Sequence, residues 1–316
     1  MVAVVKKKKI LIILNRKSGD RSYVTLSRQI CRELWAWEKD YHICSTVEET
    51  RKFRDNLDES QYHCCIVLGG DGTINSILKR KGKSDLPLIC LPLGTANDIS
   101  SALGLSLNMT NLADLVSNIK NSTEYLDILT VNREPFISTA GVGISTFVLA
   151  EYNSHRNHYK SLSNIYRVFG DDIYKLLALK SLMYKSRKSQ RYRISWDGQT
   201  RVINGAYILI TNQPNLGNNL LVAPSAKLND GKFNVLVGTH SNTRWLIKDL
   251  LSMTNKNVPK SSLLIETDNL KVETLDGSKI NYFADGEVVG NSNLIEFGVR
   301  PKAQAFALNR IVVGES

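Results

Sequence analysis

At 316 residues the chain can hold one large domain or two of ordinary size, and with 42% hydrophobic and 22% charged residues it reads as a folded globule. Lys and Arg number 41 against 30 Asp and Glu, and the formal charge of +11 points to an anionic partner: nucleotide, nucleic acid or anionic membrane. No apolar run reaches the roughly 20 residues of a membrane-spanning helix, no zinc-finger or aromatic RNP signature favours nucleic acid, and the five Cys show no paired ligand spacing.

Residues 1–5 precede Lys6, Lys7, Lys8 and Lys9, the reverse of a signal peptide's order, so the thiols are read as reduced in a cytoplasmic protein. Residues 10–14 (ILIIL) read as a first buried strand. It runs into Asn15-Arg16-Lys17-Ser18-Gly19, a donor-rich turn at a strand's C-terminal end, where open α/β sheets bind ligands. Leu26, Ile30, Leu34 and Trp37 give a helical spacing over 23–38. A short strand at 41–46 ends in Thr46, and 47–57 reads as a charged surface helix.

The run CCIVL at 64–68 is of buried-strand type and is followed at once by Gly69-Gly70-Asp71-Gly72-Thr73. Ile74, Ile77 and Leu78 then share one face of a helix over 73–79. A glycine-rich turn feeding a helix N-terminus presents free N–H groups and favours an anion. Asp71 is either an N-cap or, with a cation between it and a phosphate, a Mg2+ partner acting directly or through water. Residues 86–91 repeat the plan: strand, the turn Pro92-Leu93-Gly94-Thr95, and Asn97 or Asp98 to cap the next helix. A further helix is expected at 112–119. Alternating strand and helix argues for a doubly wound α/β domain.

From residue 125 strands dominate: 125–131, a turn at 132–135, 136–143, 192–196, 202–210, 232–237, 263–265, 270–274 and 280–283. Asp197-Gly198, Asp230-Gly231 and Asp276-Gly277 are turn dipeptides among them, so this half is expected to be antiparallel and sandwich-like. Phe283-Ala284-Asp285-Gly286-Glu287 sets two carboxylates about a glycine at a strand end, where they can share one proton or one metal. A kinase acting on a hydroxyl needs such a carboxylate, together with Mg2+; the same sequence also serves as an ordinary Asp-Gly hairpin. Asp230, in a tight turn with carbonyls nearby, suits an oxygen-ligand cation site or a plain turn. Lys175, Lys180, Lys185, Arg187, Lys188, Arg191 and Arg193, interleaved with Leu176, Leu177, Leu179, Leu182 and Met183, suit docking on an anionic leaflet, or equally a core helix with a solvated end.

Gly-Gly-Asp-Gly-Thr at 69–73 followed by Pro-Leu-Gly-Thr-Ala-Asn-Asp at 92–98 resembles the diacylglycerol kinase catalytic domain superfamily, which includes diacylglycerol, sphingosine and ceramide kinases and small bacterial lipid kinases. NAD kinases and phosphofructokinases share the first motif more distantly. The resemblance implies an α/β fold with two domains. Residues 1–124, completed by about 303–316, would be a doubly wound ATP-binding domain, and 125–302 a β-sandwich-like lipid-substrate domain. It implies an ATP-dependent lipid kinase using Mg2+. Nucleotide contacts would come from Asn15, Ser18, Gly19, Thr46, Gly69, Gly70, Asp71, Gly72, Thr73, Ile74, Asn75, Gly94, Thr95 and Asn97, with Arg16 where the family carries Pro. Asp71 and Asp98 would act through Mg2+, and Asp285 and Glu287 would be catalytic, one as base and the other orienting it or reaching Mg2+. A structural Mg2+ would be held by Asp230 and the carbonyls of Lys227 and Lys232, with Asn229 where an acidic residue sometimes stands. The expected partners are a lipid and, peripherally, an anionic membrane surface, without nucleic acid. The alternatives are a kinase for a soluble acceptor such as NAD, and a non-catalytic nucleotide- or lipid-binding protein.

Overall fold

The computed structural model describes residues 8–15, 25, 28–32, 41–44, 49–50, 54, 56–79, 83–92, 99, 103, 112–143, 146, 190–216, 220–240 and 242–308. The chain divides into two compact units: Met1–Ile128 with Lys302–Ser316, and Leu129–Pro301.

The first unit is a parallel sheet. Its strands are β1 (Lys9–Leu14), β2 (Tyr41–Cys44), β3 (Tyr62–Gly69) and β4 (Ser84–Pro92), in the order β2-β1-β3-β4. β5 (Thr123–Val131) leads out of the unit, and the end of β18 (Leu294–Ala307) returns to pair parallel with β4, Gln304 against Ser84 and Phe306 against Leu88. Ile10 to Leu14 and Cys64 to Leu68 are buried without a break. That continuity is what a parallel strand covered on both faces requires. Ile12, Ile66 and Ile89 stand side by side across β1, β3 and β4, and Ile30, Leu112 and Val116 from flanking helices pack on the same cluster. Four of the five cysteines are buried and Cys31 half-buried, all as free thiols; burial pushes Cys44 up to about 11 and Cys65 well above the ordinary thiol range.

The second unit is a pair of packed antiparallel sheets. One has the order β14-β13-β10-β7-β16-β17, with β7 (Thr139–Gly143), β10 (Tyr207–Thr211), β13 (Phe233–Gly238), β14 (Ser262–Thr267), β16 (Ile280–Ala284) and β17 (Glu287–Ser292). The other contains β8 (Gln190–Trp196), β9 (Gln199–Gly205), β15 (Asn269–Thr274) and the first part of β18, with β6 (Glu134–Phe136) paired to β5. β11 (Asn215–Leu216) and β12 (Leu220–Leu221) form a small separate hairpin. Alternation explains the layering. Ile208, Ile210, Val235 and Val237 face the core between the sheets with Tyr192, Ile194, Val272 and Phe297. Tyr207, Leu209 and Leu236 point the other way, onto Leu246 and Met253 of helix Thr243–Thr254.

Two expected strands are each divided. Residues 202–210 form not one strand but the end of β9 and most of β10, which belong to different sheets. The chain turns at Gly205 and Ala206, and the Ala206 amide bonds to the Gly238 carbonyl at 3.0 Å. Residues 136–143 are likewise interrupted by a bend at Ile137 and Ser138, between β6 and β7. Arg191 and Arg193 of the expected basic belt lie on β8, and Arg193 is engaged with Glu273 at 2.6 Å; the rest of that belt lies outside the described residues. Among the described residues no helix is long and apolar enough to cross a membrane.

Candidate active site

The glycine-rich turn sits where β3 ends and helix Asp71–Leu78 begins. Gly70 is the extended N-cap residue, and its carbonyl accepts from the Thr73 amide at 2.8 Å and the Ile74 amide at 3.3 Å. The helix thus starts two residues earlier than its apolar spacing marks, and the Asp71 and Gly72 amides lie ahead of any intrahelical acceptor. Gly69 and Gly72 differ in purpose. A Cβ on Gly69 would lie 2.3 Å from Thr73 Oγ1 and 2.6 Å from Thr73 Cβ, so this glycine lets strand and helix close up. A Cβ on Gly72 would meet nothing within 4 Å among the described residues. Asn15, at the end of β1, donates from its amide N–H to the Leu68 carbonyl at 3.1 Å and from Nδ2 to Thr73 Oγ1 at 2.9 Å. The ends of two neighbouring parallel strands and one helix start are therefore tied together through Asn15. Asn75 Oδ1, on the second turn of this helix, is buried with no hydrogen-bond partner among the described residues.

This arrangement fits a phosphate-bearing ligand: a helix N-terminus, an open flank at Gly72, and side-chain donors and acceptors at Asn15, Thr73 and Asn75. Ile74 is fully buried and serves the core. Ser18, Gly19, Thr46, Gly94, Thr95, Asn97 and Asp98 lie outside the described residues, as does the side chain of Asp71.

In the second unit, Asp285 and Gly286 make the two-residue turn between β16 and β17, with φ of +46° and +82°. Positive φ at both positions is the hairpin geometry that Asp-Gly favours. The carboxylate does more than turn the chain. Asp285 Oδ1 accepts from the Ser138 amide at 2.8 Å and the Ile137 amide at 3.2 Å, and Oδ2 lies 3.1 Å from the Ile137 amide. The Asp285 amide in turn donates to the Thr139 carbonyl at 2.9 Å. Charge-assisted bonds of this kind fix a carboxylate's orientation. Glu287, one residue beyond the turn on β17, is exposed, opposite Ala284. The sequence pattern does not single out Ile137 and Ser138. The only signal was indirect: residues 136–143 alternate poorly where the bend falls.

Asp230 precedes Gly231, whose φ is +78°, and its Oδ1 accepts the Lys232 amide at 3.1 Å. One carboxylate oxygen is thus committed to the turn. Lys232 Nζ bonds Glu266 at 3.0 Å. Among the described residues no three His, Cys, Asp or Glu side chains gather as a metal site. Lys227 lies in the same loop, and its carbonyl with that of Lys232 would have to complete any oxygen shell there.

Residues 9–131 match the family described as diacylglycerol kinase catalytic domain, and 148–307 match the YegS C-terminal NAD kinase beta sandwich-like domain. A diacylglycerol kinase from Bacillus subtilis is 25% identical over 288 residues, 90% of this chain and 91% of that one. A diacylglycerol kinase from Staphylococcus epidermidis is 24% identical over 292 residues, 90% of this chain and 87% of that one. The crystal structure of a diacylglycerol kinase from Bacillus anthracis shares the fold with a TM-score of 0.69 at 19% identity, covering 97% of this chain and 98% of its own. With a parallel nucleotide-type unit, an antiparallel β-sandwich unit and both family matches in order along it, the chain belongs to the bacterial-type diacylglycerol and lipid kinase family of phosphotransferases.

Proposed function

We propose that the protein transfers the γ-phosphoryl group of ATP to the hydroxyl of a membrane lipid, diacylglycerol- or sphingosine-like, while peripherally associated with an anionic membrane surface on its cytoplasmic side. The observation that carries this is the Asp285 carboxylate, held by two backbone amides at a hairpin tip. A carboxylate pinned in this way is built to accept a proton at a fixed point. Asp285 is the base and Glu287, exposed beside it, orients the acceptor or reaches Mg2+.

In the first unit the helix start at Gly70, Asp71 and Gly72, with Asn15, Thr73 and Asn75, holds the nucleotide phosphates. Ser18, Gly19, Thr46, Gly94, Thr95 and Asn97 extend that set by family likeness. Asp71 and Asp98 would hold Mg2+, which would supply neutralisation of the charge on the transferring phosphoryl group. Asp285 takes the acceptor's hydroxyl proton as its oxygen bonds to the γ-phosphorus; the bond from that phosphorus to the bridging oxygen breaks, and ADP leaves. Asp230, with the Lys227 and Lys232 carbonyls, is the candidate for a second, structural Mg2+.

The test is transfer of labelled γ-phosphate from Mg-ATP into a mixed-lipid extract, with Asp285→Asn as control. A labelled lipid that disappears in the variant supports the reading, and its chromatographic identity names the acceptor. Label in a soluble acceptor such as NAD, with none in lipid, replaces the lipid assignment.

A further inference from the structure

Thr211 ends β10 directly beside Thr139, the residue that begins β7. Thr211 and Gln213 are almost fully buried, at 1% and 2% exposure. Polar side chains buried this deeply need partners, and theirs converge on one place. The Gln213 carboxamide nitrogen donates to the Ile137 carbonyl at 3.4 Å. The Thr211 hydroxyl accepts the Gln213 amide at 3.0 Å, and its single proton is shared between the Ser138 carbonyl at 3.3 Å and the Gln213 carbonyl at 3.2 Å.

The Ile137 carbonyl and the Ser138 amide belong to one peptide plane. Gln213 holds that plane by its oxygen, and Asp285 is held by its N–H at 2.8 Å. Thr211 holds the next plane through the Ser138 carbonyl and at the same time secures the Gln213 backbone. A carbonyl that accepts a hydrogen bond also polarises the N–H of its own peptide, so the link is electronic as well as steric.

We infer that Thr211 and Gln213 are positioning residues for the base. They set the bend at Ile137 and Ser138, and through it the orientation of the Asp285 carboxylate. The inference rests on Asp285 being the base, as proposed above. It also gives the two side chains a reason to be polar where β10 has just presented four apolar residues, Tyr207 to Ile210.

Thr211→Val removes the hydroxyl at nearly constant shape, Gln213→Met removes the carboxamide but keeps the backbone bonds, and Thr211→Ser keeps the hydroxyl. For Thr211→Val and Gln213→Met, kcat is expected to fall about tenfold while KM for ATP stays within about twofold, because misplacing a catalytic group costs rate and not remote binding. Thr211→Ser restores kcat. Wild-type kcat in folded Thr211→Val and Gln213→Met, with Asp285→Asn inactive, would overturn the inference while leaving the base in place. A fully active Asp285→Asn would instead remove the base assignment, and the inference with it. If Thr211→Val does not fold, Gln213→Met decides the matter alone.

Discussion

Gly69 and Gly72 stand three residues apart in one turn, yet alanine at each is expected to fail in opposite ways. At Gly69 the new methyl lands 2.3 Å from Thr73 Oγ1, 2.6 Å from its Cβ and 3.0 Å from its Cγ2. Rotating the Thr73 side chain moves Oγ1 and Cγ2 but not Cβ, and Thr73 is only 5% exposed, so the helix start itself must shift. Overpacking of this sort costs about 1–3 kcal/mol. Loss of the Asn15–Thr73 bond adds about 0.5–1.5 kcal/mol. The first unit should therefore lose about 1.5–4.5 kcal/mol, read as a thermal midpoint lowered by ~2–4 °C per kcal/mol. Thr73→Ala does not rescue Gly69→Ala, because its Cβ remains; Thr73→Gly relieves the clash. At Gly72 the methyl meets nothing among the described residues, and alanine in place of a helical glycine gains about 0.5–1 kcal/mol. Stability is held or improved, while KM for ATP rises about tenfold if phosphate approaches the open flank, a change of about 1.4 kcal/mol. Calorimetry and initial rates on the two variants separate the effects. A Gly69→Ala variant of wild-type stability, or a Gly72→Ala variant with unchanged KM, would refute the assignment of one glycine to packing and the other to ligand approach.

Burial, and secondarily Asp276, raises the Tyr192 phenol from 10.0 to about 12. The folded state keeps this proton where the unfolded chain releases it, so the contribution is complete below pH 10 and is lost as pH rises from there through 12. The loss is about 3 kcal/mol. Tyr192→Phe should flatten that part of the alkaline stability profile in urea titrations; an unchanged slope would contradict the cause given. Asp249, 2% exposed, accepts from the Tyr207 hydroxyl at 2.9 Å and from Ser261 Oγ at 2.7 Å, securing helix Thr243–Thr254 to the sheet. Asp249→Ala leaves a phenol hydroxyl buried without its acceptor and should destabilise by about 2–4 kcal/mol. Adding Tyr207→Phe should cost less than the two single changes summed, which a double-mutant cycle measures.

The parallel half was legible because its signals are local. A buried parallel strand is a continuous apolar run, and 10–14, 64–68 and 86–91 are each followed in the sequence by glycine or proline. The Asp-Gly hairpins at 197–198 and 285–286 were legible for the same reason, since positive φ at both positions selects those residues. The division of 202–210 between two sheets was not. Residues on both sides of Gly205 and Ala206 are strand formers, and only the pairing of β9 with β8 and of β10 with β7 and β13 separates them. Helix Thr243–Thr254 carries a buried Asp249 on its apolar face, which blurs its periodicity. At the site, Asp285 was visible as a carboxylate in a motif, but its restraint was not. The amides that hold it belong to Ile137 and Ser138, about 150 residues earlier, and main-chain donors leave no mark on side-chain composition.

The most direct measurement is phosphoryl transfer from γ-labelled Mg-ATP to lipid by the wild-type protein and by Asp285→Asn, with ATP binding measured on both. The variant keeps the fold's turn residue type, since Asn also adopts positive φ, and it keeps an oxygen to accept the Ile137 and Ser138 amides. The expected result is a labelled lipid from the wild type, loss of at least about a hundredfold in the variant, and equal ATP affinity. Transfer undiminished in Asp285→Asn, or ATP bound with no lipid labelled by the wild type, would contradict the central claim.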